Sequence, residues 1–333
     1  MILAGDIGGT KTHLALFHTD GKRLRLGQHQ IFPSRNYSGL EMILKEWIAG
    51  KANSIRVACF GVAGPIVKGR TKATNLPWII DAARIRRRFK MDSVILLNDL
   101  EAMAYGALSL EKKDTYVLNL GRPILHGNRA VIAAGTGLGE AILFWNGSEY
   151  RASPSEGGHA DFAPRSPVEI KLLEYLWKRF PQVSYERVLS GPGLVNIYQF
   201  LRDTGQGEEP SWLANRLKEE DPAVVITEVA LAGSIELCVK AVDQFVSLYG
   251  AEAGNLALKA LTAGGMYVGG GIAPKMIKKL QAGTFMRSFM DKGRFSSLLS
   301  RVPVQVILNE ETPLLGAASF AQRHVRRTRR AKR

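Results

Sequence analysis

The sequence predicts an α/β protein of two domains, and three observations carry that expectation. Short apolar runs alternate with stretches of helical spacing along most of the chain. The opening third reads β-β-β-α-β-α-β-α. A strand, a Gly/Thr turn and a second strand then occur twice, around residues 6–12 and 135–139. A chain of 333 residues is long enough to bury two cores. Its 46% hydrophobic and 23% charged content is ordinary for a globular protein.

The first strand is apolar and runs into Gly5-Asp6-Ile7-Gly8-Gly9-Thr10-Lys11-Thr12. A second strand, His13-Leu14-Ala15-Leu16-Phe17, follows at once, Asp20-Gly21 signals a hairpin, and a third strand falls at residues 24–31. Leu40, Ile43, Leu44, Trp47 and Ile48 recur at helical spacing. A buried strand at residues 55–61 leads to a loop, Gly61-Val62-Ala63-Gly64-Pro65, and residues 81–89 read as a helix with a basic face. Ser93-Val94-Ile95-Leu96-Leu97 is a strand that ends in Asn98-Asp99, and a helix continues to about residue 108. The second half opens after the charged link Glu111-Lys112-Lys113-Asp114. There Ala130-Val131-Ile132-Ala133-Ala134 and Glu140-Ala141-Ile142-Leu143-Phe144 flank Gly135-Thr136-Gly137-Leu138-Gly139. Beyond Glu156-Gly157-Gly158-His159 the chain reads as mostly helical, with one helix opening at Gly191-Pro192-Gly193 and a long one over residues 230–249. Met266-Tyr267-Val268 precedes Gly269-Gly270-Gly271, a late strand covers residues 303–308, and a final helix begins at Thr312.

This order matches an actin-like, hexokinase-like (ribonuclease H-like) architecture, with the active site in a cleft between the domains. The expected division is a smaller α/β domain of residues 1–109 and 301–321, a larger α/β domain of residues 110–300, and a basic, disordered tail of residues 322–333. Every apolar run is broken well before the roughly 18 residues of a membrane span, so no membrane association is expected. The N-terminus reads as a strand rather than a signal peptide. The two cysteines, Cys59 and Cys238, sit in apolar segments without zinc spacing, which fits a cytoplasmic, reducing compartment. The net charge is +15; setting aside the seven basic residues of the segment 323–333 leaves +8. That balance suits anionic small molecules such as nucleotides, and no specific nucleic acid is expected.

Five motifs carry the chemistry. A carboxylate at the carboxyl end of a strand is where an open α/β sheet places its ligands. Read alone, Asp99 is more readily a helix N-cap than a catalytic base. In Gly5-Asp6-Ile7-Gly8-Gly9-Thr10 the glycines allow backbone N–H groups to approach a phosphate. Thr10 adds a hydroxyl there, and Asp6 can hold Mg²⁺, directly or through water. Gly135-Thr136-Gly137-Leu138-Gly139 is a second such turn, and Gly269-Gly270-Gly271 leaves room beneath an adenine and ribose. Neither G-x-G-x-x-G nor G-x-x-x-x-G-K-[ST] occurs. Glu156, His159 and Glu186 form a carboxylate, imidazole and carboxylate set able to accept and donate hydrogen bonds to adjacent hydroxyls of a polyol.

As an ordered set, Asp6-Ile7-Gly8-Gly9-Thr10, Asn98-Asp99, Gly135-Thr136-Gly137-Leu138-Gly139, Glu156-Gly157-Gly158-His159, Glu186-Arg187-Val188-Leu189-Ser190-Gly191-Pro192-Gly193 and Gly269-Gly270-Gly271 resembles the bacterial ATP-dependent glucokinases. The likeness extends over residues 4–321. It implies transfer of the γ-phosphoryl group of MgATP to the 6-hydroxyl of D-glucose, as in glycolysis. It implies Asp99 as general base, with Asn98, Glu156, His159 and Glu186 holding glucose. It implies ATP contacts from Gly5, Asp6, Ile7, Gly8, Gly9, Thr10, Thr136, Gly137 and Gly270, and a homodimer. Two departures stand out: Lys11 follows the first turn where the family often has Asn, and the basic end lies outside the likeness. The cysteine-rich zinc motif of the related sugar kinase and repressor group is missing, as is an N-terminal DNA-binding segment. One alternative is the same enzyme class acting on another hexose; alternatives of a different kind are a non-catalytic sugar-binding regulator and a nucleic-acid binder using the basic end.

Overall fold

The chain adopts a mixed α/β fold. The structure, a computed structural model, describes residues 1–20, 23–51 and 54–331, with side chains to residue 327. It divides into two compact units: Met1–Lys113 with Arg151–Pro154 and Asn309–Arg333, and Asp114–Tyr150 with Ser155–Leu308.

The first unit runs β1 (Ile2–Ile7), β2 (Lys11–Asp20), β3 (Arg23–Pro33), α1 (Leu40–Trp47), β4 (Val57–Val62), β5 (Arg70–Lys72), β6 (Ile79–Asp81), α2 (Ala82–Arg88), β7 (Ser93–Asn98) and α3 (Asp99–Ala107). Its main sheet has the order β3-β2-β1-β4-β7. Neighbours β1/β2 and β2/β3 are antiparallel, whereas β1/β4 and β4/β7 are parallel. Asp20 pairs with Arg23 across the expected hairpin, whose Gly21 lies outside the described residues. Side chains alternate across β1, as a strand requires. Leu3 and Ile7 join a core with Leu40, Ile43 and Leu44 of α1, while Ile2 and Ala4 join one with Ala102 and Tyr105 of α3.

From residue 114 to 308 the chain runs β8 (Thr115–Asn119), β9 (Arg129–Ala134), β10 (Leu138–Trp145), β11 (Tyr150–Ser155), α4 (Pro167–Trp177), α5 (Gly191–Asp203), α6 (Ser211–Glu219), α7 (Pro222–Leu231), α8 (Glu236–Ala260), β12 (Gly265–Gly269), α9 (Ile277–Gln281), α10 (Thr284–Met290), α11 (Ser296–Leu299) and β13 (Val304–Ile307), all in the second unit except residues 151–154. The sheet order is β11-β10-β9-β12-β13-β8. Five of these strands repeat the order of the first sheet, with β9/β10 antiparallel and β9/β12 and β12/β13 parallel. The repeat seen as two Gly/Thr turns is therefore a repeat of the sheet itself.

Three expectations need correction. The long helix of residues 230–249 is two helices, because Gly233 adopts a left-handed φ of 68° and breaks α7 from α8. Residues 304–307 pair as β13 inside the second sheet rather than joining the first unit. The basic end is not a disordered tail over residues 322–331, since α12 spans Thr312–Ala331. Its apolar positions Leu314, Ala317, Ala318, Ala321 and Val325 keep helical spacing and pack on the β1, β4 and α3 side of the first sheet, so the stripe outlasts residue 321. No single helix among the described residues is long and apolar enough to cross a membrane.

Candidate active site

In the first unit the register places the candidate residues at the carboxyl ends of three parallel strands. Asp6 lies beside Gly61, and Ile7 beside Val62, which lies beside Asn98. Open α/β sheets bind ligands at this edge. The Asp6–Thr10 segment ends β1 and turns into β2, with Gly8 N–H donating to the Lys11 carbonyl at 3.0 Å. Buried Ser34 props the turn: its hydroxyl donates to the Gly8 carbonyl at 2.8 Å and lies 2.9 Å from the Thr12 hydroxyl. A Cβ on Gly9 would come within 2.5 Å of the Asn75 Cβ, so the turn has no room for a side chain there. Ser34 and Asn75 belong to no motif and were invisible in the sequence. Within the same segment, Gly5 and Ile7 have packing roles. The space above Gly5 is filled by the Phe60 ring, and Ile7 is buried in the core. Thr10 and Lys11 are exposed.

Asn98 and Asp99 divide the start of α3 between them. Asn98 is the N-cap: its Oδ1 accepts from Leu100 N–H at 2.9 Å, and Glu101 Oε2 accepts from Asn98 N–H at 3.0 Å. The cap role considered for Asp99 thus falls to its neighbour. Asn-x-x-Glu is a capping-box spacing that was there to be read. Asp99 is the first helical residue, and its Oδ1 also accepts from Leu100 N–H at 2.9 Å. A carboxylate in the first turn is favoured by the helix dipole.

Asp6 is half-buried, and its carboxyl is pushed up to about 7, first by burial and then by the negative charge of Asp99. Two carboxyls compete for one stretch of surface, and a positive charge there relieves both. That is the donor chemistry of a Mg²⁺ site, which takes oxygen ligands and keeps several waters. The residues present fit the ion.

In the second unit, the turn between β9 and β10 has Gly135 N–H donating to the Gly137 carbonyl at 2.8 Å, with Thr136 exposed at its tip. Gly270, with φ of 81°, follows β12 and lies against the Ala134 backbone, so the two glycine turns share one sheet edge. A Cβ on Gly137 would overlap the Glu186 carboxylate, which accepts from Leu138 N–H at 2.9 Å. Glu186 is therefore anchored to the glycine turn. Glu156 and His159 are exposed on a short 3₁₀ turn. Tyr185 N–H donates to the Ala160 carbonyl and Phe162 N–H to the Val183 carbonyl, each at 2.9 Å. These bonds lash the turn bearing Glu156 and His159 to the turn bearing Glu186. The structure thus brings Glu156, His159, Glu186, Thr136, Gly137 and Gly270 to one side of the second unit. It places Asp6, the first glycine turn, Asn98 and Asp99 together in the first.

Comparisons with known proteins bear on the family and the fold. The sequence model of the family described as Glucokinase matches residues 3–324. A glucokinase of Nostoc punctiforme is 42% identical over 339 residues, covering 97% of this chain and 99% of that protein. The crystal structure of a glucokinase from an Antarctic psychrotroph superposes with a TM-score of 0.84 at 32% identity, covering 97% of this chain and 98% of that one. A ROK family glucokinase from Streptomyces griseus, solved with glucose and AMPPNP, shares the fold at a TM-score of 0.66 and 20% identity, covering 97% and 99%. On the match over almost its whole length, the chain belongs to the glucokinase family.

Proposed function

We propose that this protein transfers the γ-phosphoryl group of ATP to the 6-hydroxyl of D-glucose, with Asp99 taking the hydroxyl proton. The observation that carries the reading is the division at the start of α3: Asn98 caps the helix, and Asp99 stands beside Asp6 at the strand ends without being needed as the cap. As the sugar oxygen bonds to the γ-phosphorus, the bond from phosphorus to the ADP oxygen breaks and the proton passes to the Asp99 carboxylate. Phosphoryl transfer is loose, so the proton leaves late and a carboxylate of ordinary basicity suffices. Most of the acceleration then comes from positioning and charge stabilisation. The Asn98 amide, Glu156, His159 and Glu186 would hold the sugar hydroxyls. Backbone N–H groups at Gly8, Gly9 and Gly137, with the Thr10 and Thr136 hydroxyls, would hold phosphate oxygens. Gly270 would leave space for the nucleoside. Asp6 would hold Mg²⁺ through water, and the ion would supply charge neutralisation at the β- and γ-phosphates.

The reading is supported by candidate residues lying at the carboxyl ends of strands in each sheet. Closure around the sugar would exclude water as a competing acceptor. A cytoplasmic place is supported by two buried free thiols. A homodimer is supported by the resemblance and by exposed Leu120, Ile124 and Leu125 between β8 and β9; sedimentation at micromolar concentration should give twice the chain mass. Specificity is tested with a panel of hexoses under saturating ATP. Glucose should give the highest kcat/KM, and a mannose or amino-sugar value above it would reassign the substrate.

A further inference from the structure

The second unit buries a pair of carboxyls that the proposed reaction does not use. Glu140, on β10, is 1% exposed, and Glu252, on α8, is 0% exposed. Glu140 pairs with Ile132 of β9, whose carbonyl accepts from the Tyr249 hydroxyl at 3.3 Å, one helical turn before Glu252 on α8. The second oxygen of Glu140, Oε1, is buried without a partner. A buried pair of like charges is stable only if a proton is shared or cations compensate. The groups that face it are few. Lys259 Nζ lies 3.4 Å from Glu252 Oε1, on a side chain that is half exposed. Lys292 hydrogen-bonds Asn255 and feels the charge of Glu252, and burial holds its ammonium below the usual range. Tyr185 and Tyr249 are phenols pushed above their ordinary range, chiefly by burial and then by the charge of these carboxyls. Lys259 alone ion-pairs with the couple, while Lys292 acts on Glu252 from beyond Asn255, and neither touches Glu140.

The pair sits directly beneath both proposed sugar-binding turns. A Cβ on Gly157 would overlap Glu140 Oε2, so the turn carrying Glu156 and His159 rests on that carboxyl. Glu252 accepts from Asn255 Nδ2 at 2.7 Å, and the same amide nitrogen lies 3.0 Å from the Tyr185 hydroxyl. Tyr185 immediately precedes Glu186. Glu140 is also two residues beyond Leu138, whose N–H is held by Glu186.

We propose that Glu140 and Glu252, sharing one proton, are positioning residues that form a common floor for the Glu156–His159 and Tyr185–Arg187 turns and thereby set the affinity for the sugar. Loss of the proton places two carboxylates in contact below both turns, and their repulsion is relieved by movement of the turns above. The Glu140 carboxyl is pushed up to about 7, first by burial and then by the charge of Glu252, so the loss falls near neutrality. The inference rests on the glucose kinase reading for its functional half alone.

The test compares wild type, Glu140→Gln and Glu140→Ala. Gln supplies the hydrogen bond of the protonated acid at every pH, and Ala removes the floor. In the wild type, KM for glucose should rise about tenfold between pH 6.5 and pH 8.5, with kcat and KM for ATP moving less than about threefold. Glu140→Gln should keep the low KM across that range. Glu140→Ala should show a KM about tenfold higher at every pH, rescued by Gln. A Glu140→Gln profile that follows the wild type, or a KM for ATP that moves as far as that for glucose, overturns the proposal. If Glu140→Ala does not fold, the wild-type and Gln profiles still decide. Thermal stability supplies a readout independent of turnover. A carboxyl whose folded value is raised from 4.5 to about 7 makes stability fall as pH rises through that window, because the folded state holds the extra proton. Glu140→Gln should flatten that fall, and an unchanged slope contradicts the shared proton. A wild type that phosphorylates no glucose defeats the kinase reading instead; glucose affinity measured by calorimetry at the same pH values then replaces KM.

Discussion

Asp99→Asn is expected to lower kcat by about 10²–10⁴-fold, the range of a lost general base. KM for glucose should stay within a few-fold of the wild type. The substitution is conservative in the fold for a specific reason. The cap of α3 is made by Asn98 and closed by Glu101, so neither of its hydrogen bonds uses the Asp99 side chain. An asparagine in the first helical position retains an acceptor for Leu100 N–H, which Asp99 holds at 2.9 Å. What disappears is the ability to take a proton. It also removes the negative charge that helps hold the Asp6 carboxyl near 7, so Asp6 should titrate closer to its ordinary value in the variant. A near-normal kcat would remove Asp99 from the chemistry and leave it as a helix-terminal charge.

Gly106→Ala should lower both stability and turnover, although residue 106 lies at the far end of α3 from Asp99. The helices α3 and α12 meet backbone to backbone. A Cβ on Gly106 would overlap the Thr312 carbonyl, and a Cβ on Gly316 would overlap the Ala102 carbonyl. Ala102, Ala317, Ala318 and Ala321 are all fully buried beside that contact. An added methyl in a close-packed interior typically costs about 1–3 kcal/mol, and a backbone neighbour cannot rotate aside to reduce it. A melting temperature lower by about 1–4 °C follows for a chain of this size. Because α3 is rigid from Gly106 to Asp99, tilting it displaces the carboxylate, and small displacements of a catalytic group are costly. Glucose binding through the second unit should change less than kcat. An unchanged melting temperature and kcat would show that the helices separate without penalty.

Much of this was legible before any coordinates, because it depends on local pattern. Strand ends, the two Gly/Thr turns and the cluster Glu156, His159 and Glu186 all sit in short segments whose chemistry is written in adjacent letters. The capping role of Asn98 was also written there, in its spacing to Glu101, but a carboxylate at a helix start draws the eye first. The rest depends on partners far along the chain. β13 is an apolar strand in either sheet, and only its pairing with β12 and β8 assigns it to the second. Gly233 signalled a break within the long helix, yet a single glycine in an apolar run is tolerated often enough to be read through. The stripe of α12 runs on beneath a surface of arginines, and net charge concealed it. Glu140 and Glu252 carry no motif at all; burial and mutual contact define them, and neither is a property of sequence spacing.

The central claim is phosphoryl transfer from ATP to glucose at the site containing Asp6 and Asp99. It is tested most directly by measuring ADP release from the wild-type protein in a coupled assay, with and without glucose and with and without Mg²⁺. The account predicts release that requires both, in step with glucose 6-phosphate formed. Glucose binding without ADP release, or ADP release indifferent to glucose, would contradict it.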